Sequence, residues 1–256
     1  MCIGIAQKWE NGAKPRKGAP GEVGKVLRRD GKAEDGDGFL NRKELFRRYL
    51  IFILGLFFAG IGVAFTKSSE LGVSPISSVA NIMSLKYSVM SLGNWLIVWN
   101  CVLIVGQIVI LRRDFKVYQL LQIPLSFLFG WFTDFGMKCV SLIPINHYLT
   151  KMLMLFIGII ILAFGISLTV IANVIMNSGE ALVKAISDKT HLEFGYVKVG
   201  FDVFCVILAI VLSMIFFHGQ IIGTREGTII SAVCTGIVIK FITKHIRKCV
   251  DRIIKK

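Results

Sequence analysis

Two short stretches of this chain carry the residues best suited to hold a polar ligand. The first is Ser74, Pro75, Ser77 and Ser78, within the run Leu71-Gly-Val-Ser-Pro-Ile-Ser-Ser78. The second is Asn177, Ser178, Gly179 and Glu180, within Ile175-Met-Asn-Ser-Gly-Glu-Ala181. A slide of 103 positions lays Ser74 on Asn177, Pro75 on Ser178 and Ser77 on Glu180. Both stretches have the chemistry of a helix start: Ser74 precedes a proline at the first helical position, and Asn177 stands three residues before a glutamate. Amides at such starts carry partial positive charge and suit an anionic group. Glu180 suits a cation or a proton instead, and it reads equally as the closing half of a capping box. The residue types leave the charge of a ligand open.

Further polar residues stand inside or beside apolar runs. Asp202 is an intramembrane carboxylate, which is a functional signal by default. Lys198, four residues earlier on the same helical face, suits a structural ion pair with it. Asn100 occupies the position 102 residues before Asp202. Gln122 and Pro124 predict a kink with a polar inward face in the third run. Arg225 and Glu226 belong to Gly223-Thr-Arg-Glu-Gly-Thr228. That segment reads either as a plain helix start, with Thr224 as cap and Glu226 in the first turn, or as a ligand-facing Arg225 at an outer mouth.

These residues need a scaffold, and the composition names its class. The chain has 256 residues, of which 54% are hydrophobic. Its mean hydropathy is +0.69, whereas a soluble domain is ~45–50% apolar. Several runs approach the ~20 residues that a helix needs to cross hydrocarbon. The reading is an all-α polytopic membrane protein with six transmembrane helices, at 49–66, 92–111, 117–135, 152–174, 196–217 and 227–243. Two short re-entrant or interfacial half-helices, at 72–88 and 177–193, complete it. Repeat one covers about 46–136 and repeat two about 151–243. Three crossings per half would turn the second half upside down, giving an inverted repeat. Broken segments at matching places in two halves point to a site between them. Gly62 and Gly165, and Gly93 and Gly195, also fall at the repeat offset.

Charge supports that topology. With both termini cytoplasmic, Arg47, Arg48, the 112–116 loop, Lys184, Lys189 and the C-terminal tail lie inside. Lys67, Lys86, Lys138, Lys151 and Arg225 lie outside, so the basic excess is inside, as the positive-inside rule requires. If both short segments spanned, the 112–116 cluster would move outside. The second would also carry Glu180, Lys184, Asp188, Lys189 and Glu193 through the bilayer.

The ends are polar. Residues 1–45 hold no apolar signal segment and cannot bury a core, so they read as a disordered cytoplasmic tail. Within them Asp35, Asp37, Gly38, Asn41 and Glu44 follow the spacing of an EF-hand calcium loop. Ala33 stands at the first ligand position, and calcium binding is not expected. Residues 244–256 are basic with an apolar stripe of Ile246, Val250, Ile253 and Ile254, which suits the inner leaflet. The net charge of +14 is scattered over loop ends and tails. It points to anionic lipid as partner and away from nucleic acid. The six cysteines form no metal-spaced pair, and the four histidines lie in loops or tails. With no phosphate loop either, the chain is expected to be no enzyme and to need no metal or cofactor.

Taken in order, Gly60-Ile-Gly62, Leu71-Gly-Val-Ser-Pro75, Ser178-Gly-Glu180, Gly195, Asp202 and Gly223-Thr-Arg-Glu-Gly-Thr228 resemble the YczE/YyaS/YitT family of bacterial integral membrane proteins. The likeness covers about residues 46–245. The family has proline before Gly-Glu in the second motif, where Ser178 stands here. The resemblance implies a bacterial inner-membrane protein of five or six spans without a settled molecular activity. The leading expectation is a transporter-like protein for a small molecule or ion, rocking around Ser77, Asn100, Glu180 and Asp202. The alternative is a membrane regulator or scaffold that holds a cytoplasmic partner with its basic tails. The sequence names neither a substrate nor an oligomeric state.

Overall fold

The computed structural model describes residues 42–142 and 147–255 of the chain. These residues form eight α-helices: α1 Arg42–Ser68, α2 Pro75–Lys86, α3 Leu92–Leu111, α4 Gln122–Val140, α5 Tyr148–Ala172, α6 Ser178–Thr190, α7 Phe194–Phe216 and α8 Glu226–Lys255. The order long, short, long, long occurs twice. Corresponding helices open 102 to 104 positions apart, at Pro75 and Ser178, Leu92 and Phe194, and Gln122 and Glu226.

The centre of the bundle is the crossing of α1 with α5. The first helix brings Gly55, Ala59, Gly62 and Thr66 to it, and the second brings Gly158, Leu162, Gly165 and Thr169. Each residue of one set stands 103 positions from its counterpart in the other. The backbones meet so closely that a methyl on Gly62 would strike the backbone of Leu162, and one on Gly165 the backbone of Ala59. Gly55 faces Thr169 and Gly158 faces Thr66, so the helices run antiparallel. Both threonine hydroxyls turn back onto their own helix, Thr66 donating to Val63 O at 2.9 Å and Thr169 to Ile166 O at 2.8 Å. Exchanging the two helices leaves this contact unchanged. Small residues permit such close approach where lipid supplies no hydrophobic drive.

The outer helices flank this pair in the same way. Leu125, Phe129 and Phe132 of α4 pack with Phe52 and Leu56 of α1. Further along, Gly136 meets Ile61 and Ala64, so α4 runs parallel to α1. On the other side Ile230, Cys234 and Val238 of α8 pack with Leu155 and Ile159 of α5. Toward the far ends Val250 and Ile254 pack with Leu168 and Ile171, so α8 runs parallel to α5. The third helix of the first half, α3, is held to α4: Asp134 accepts from Gly93 N at 2.8 Å and from Ser91 Oγ at 2.5 Å.

The short helices cross between halves. In α2, Ser78 Oγ donates to the carbonyl of Cys205, midway along α7, at 3.4 Å. Val79 and Ile82 then pack with Ala209 and Leu212. Lys86 Nζ reaches Phe216 O, the last residue of α7, at 3.1 Å. In α6, Leu182 and Val183 pack with Leu103, midway along α3. Lys189 then pairs with Asp114 just beyond the end of α3 at 2.8 Å. Each short helix therefore begins at the middle of a long helix of the other half and ends at its C-terminal end.

Several sequence expectations change. Among the described residues five helices are long and apolar enough to cross a membrane: α1, α3, α5, α7 and α8. The expected third span is α4, which Gln122, Ser126, Thr133, Asp134 and Lys138 make too polar to qualify. Gln122, Ser126 and Thr133 are nonetheless buried. The helix begins at Gln122, after a 3-10 turn over Val117–Leu121. Pro124 thus lies in its first turn, where no intrahelical amide bond is lost, and makes no kink. At the C-terminus α8 runs on without a break through residues 244–255. Its stripe Ile246, Val250 and Ile254 packs on α5 instead of being left for the leaflet. The calcium-loop positions 33–41 lie outside the described residues. Glu44, which would close that loop, is a helical residue that accepts from Arg48 at 2.8 Å.

Candidate functional site

The starts of α2 and α6 meet. Ile76, the second residue of α2, lies over Gly179, the second residue of α6, and a methyl on Gly179 would sit 2.9 Å from Ile76 Cδ1. These two residues are themselves 103 positions apart, the same offset that aligns the two starts in sequence. The Ile76 side chain also packs with Leu103, Leu182 and Val183, and an added methyl on Gly179 would have to displace its Cδ1 end. The sequence reading expected first-turn amides lining a common polar cavity. Instead the meeting point is filled by the Ile76 side chain.

Polar groups surround this plug on each side. In the first half Ser74 Oγ donates to Ser77 Oγ at 3.0 Å, and Ser78 Oγ to Pro75 O at 2.5 Å. The expected Ser74 cap does not form through its side chain. Pro75, Ser77, Ser78 and Asn100 are buried. In the second half Asn177 Oδ1 accepts from Ser178 N at 3.0 Å, one residue short of the usual cap. Glu180 does not close a capping box. It lies in the field of Lys198 and Asp202 on α7, which pair with each other at 2.5 Å. Of these two neighbours Lys198 attracts the Glu180 carboxyl and Asp202 repels it. The group carries two carboxylates against one ammonium, so one negative charge is left for a cation or proton to meet.

Gln122 completes the α6 side. It and Gln107 exchange two amide hydrogen bonds of 3.2 Å, and Gln107 Nε2 also donates to Ser178 O at 3.0 Å. Both glutamines are buried, so the node ties α3, α4 and α6 together where no water competes. A cavity of about 10 Å³ beside it is lined by Gln122, Ser126, Asn177 and Ser178 against Phe52 and Leu56. That is room for about one water.

Arg225 and Glu226 are not part of this meeting point. They lie at the start of α8, beside the turn between α1 and α2, where the amide of Gly227 donates to Leu71 O at 2.9 Å. Asn81 Nδ2 donates to Gly223 O at 2.9 Å, and Lys67 bonds to Asn81 Oδ1. Thr224, expected as the cap of α8, has a buried hydroxyl without a partner. Nearby Glu70 pairs with Lys151. That pairing holds the Glu70 carboxyl below the usual carboxylate range, helped by Arg225 and Lys67. Sequence reasoning missed Lys67, Asn81 and Gln107 as participants. The signal for Asn81 and Gln107 was a polar residue in an apolar run; Lys67 looked like an ordinary cation at a span end.

The fold is that of an all-helical, multi-pass membrane protein. Residues 46–244 match a family described as a family of unknown function (DUF6198), and the chain belongs to that family. It is 25% identical over 202 residues to the uncharacterized membrane protein YczE of Bacillus subtilis (strain 168), an alignment covering 78% of this chain and 87% of that protein. The YczE likeness read from the motifs holds. No solved structure matches the chain.

Proposed function

We propose that this protein is a transporter-like carrier of a small solute or ion, built as an inverted repeat around the α2–α6 meeting point. The observation that supports it most is the contact of Ile76 with Gly179. Two helix starts from different halves touch at mid-height of their neighbours, the arrangement from which midplane sites of carriers are made. In this reading α4 is the sixth span, since it runs beside α1 and turns its polar residues onto protein. The α2 and α6 helices re-enter from opposite faces, and both termini are cytoplasmic in a bacterial inner membrane. The halves rock about the α1–α5 crossing, and Ser77, Asn100, Glu180 and Asp202 hold the cargo when the Ile76 plug withdraws.

Uptake into vesicles from a panel of small organic ions tests this, comparing the intact protein with a Glu180→Gln/Asp202→Asn double variant. A substrate taken up by the first and at least tenfold less by the second is the expected result. Cysteines at positions 114 and 220 test the topology: 114 should label only from the cytoplasmic side and 220 only from the other. The one-water cavity also suits a second reading, a membrane regulator or scaffold that carries nothing. Absence of uptake across the panel, with unchanged binding of a cytoplasmic partner in the double variant, would favour that reading.

A further inference from the structure

We infer that the start of α8, beside the turn between α1 and α2, holds a second site, for a monovalent oxyanion, formed by Lys67, Thr224, Arg225 and Thr228. This site lies at the junction of α1, α2 and α8, away from the Ile76 plug, and its existence does not depend on the transport reading.

The first argument is charge. Among the described residues the acceptor for Lys67 Nζ is the neutral amide of Asn81. Asn81 is 1% exposed, and its own amide nitrogen is held by Gly223 O, so the ammonium sits at the edge of the packed core. The nearest carboxylate, Glu70, is engaged by Lys151. Arg225 and Lys67 both act on that same carboxylate from nearby. Lys67, Lys151 and Arg225 all act on the one carboxylate of Glu70, which leaves an excess of positive charge on the group. A buried cation without an anionic partner is costly, and a single negative charge would complete it.

The second argument is independent of charge. Two hydroxyls at the start of α8, Thr224 Oγ1 and Thr228 Oγ1, are buried without a hydrogen-bond partner. Their residues are 9% and 1% exposed. A helical threonine ordinarily donates to a carbonyl of the preceding turn, as Thr66 and Thr169 do in this protein. Thr228 Oγ1 instead faces the turn at Gly72, where φ is +137° and a methyl group would collide with it. Gly72 thus keeps a donor pointed into the junction. An oxyanion accepts from hydroxyls, ammonium and guanidinium together, and the positive end of the 30-residue helix α8 favours it further. The tight approach at Gly72 admits a small group: a carboxylate or the phosphodiester of a lipid headgroup, not a bulky acid.

The test uses the full chain in nanodiscs of phosphatidylcholine, titrated with sodium acetate against sodium chloride at equal ionic strength. A parallel set of nanodiscs contains phosphatidylglycerol. The expected result is an acetate-dependent rise in melting temperature with a millimolar midpoint. That midpoint should move at least tenfold upward in Lys67→Met and in the Thr224→Val/Thr228→Val double variant. Stabilisation by phosphatidylglycerol alone, lost in the same variants, assigns the same site to a lipid headgroup. If Lys67→Met does not fold, the isosteric valine variant carries the test. No stabilisation by either anion, or equal stabilisation of the valine variant, would overturn the inference.

Discussion

The short helices α2 and α6 are the same element in two settings. Each begins midway along a long helix of the other half, and each has a lysine at its end, Lys86 or Lys189, that reaches the C-terminal end of that helix or the residues just after it. Their surroundings differ. The α2 start is dressed with hydroxyls, whereas the α6 start carries Glu180 beside Lys198 and Asp202. The long helices differ too. Gly93 lets α3 close onto the Gly130 carbonyl of α4, while its counterpart Gly195 has no atom within 4 Å. Half one is thus a packed group, and in half two α8 rests on α5 rather than on α7. The two halves thus share backbone placement at the centre and differ in charge and outer packing.

The glycines break or sharpen this comparison most. Leucine at Gly62 or Gly165 should abolish folding, because backbone occupies the space. Alanine at either should destabilise by about 1–3 kcal/mol in detergent unfolding, and by equal amounts if the crossing is symmetric. Gly93→Ala should cost about as much, whereas Gly195→Ala should lie within ~0.5 kcal/mol of the parent. Equal losses at Gly93 and Gly195 would mean that the outer packing is symmetric after all.

A smaller effect is expected at the glutamine node. Gln122→Leu leaves the buried Gln107 amide partly unpaired and should cost about 1–3 kcal/mol. Smaller again are the lysines at the ends of the short helices. Lys189 and Asp114 are 47% and 69% exposed, so Lys189→Met should cost less than about 1 kcal/mol. The smallest effect concerns Glu70. Its carboxyl is held below the ordinary value by Lys151. Its contribution is therefore present above the ordinary carboxylate value and is lost as pH falls through the lowered folded value. Lys151→Met should therefore lower the melt slightly at neutral pH, where that contribution is present, leave it unchanged at pH below the lowered folded value, and so flatten the pH dependence between them.

Much of this frame was legible in the sequence. The offset that aligned Ser74 with Asn177 also aligns the α1–α5 contact residues, but only Gly62 and Gly165 stood out. Ala59 against Leu162 hides the match, because backbone proximity constrains size only where the partner presses. The half-helix starts were legible because caps and proline act locally. The sequence left Glu180 open between cap and site residue, because Lys198 and Asp202, whose charges it meets, approach it only through folding. Likewise the apolar run from Val117 does not tell a 3-10 turn from helix, so the start of α4 was set too early and Pro124 became a kink. Thr224 looked like an ordinary cap, since its burial is a tertiary property.

The central claim is that α2 and α6, arriving from different halves, touch at their starts. It is tested most directly by an Ile76→Cys/Gly179→Cys variant with the native cysteines replaced, oxidised in native membranes. Close Cβ atoms, within the ~3.5–4.5 Å a disulfide needs, predict rapid formation of an intramolecular bond that also protects both cysteines from maleimide. Failure to cross-link, with each cysteine labelled by an impermeant reagent from a different face, would place the starts ~30 Å apart across the hydrocarbon and contradict the account.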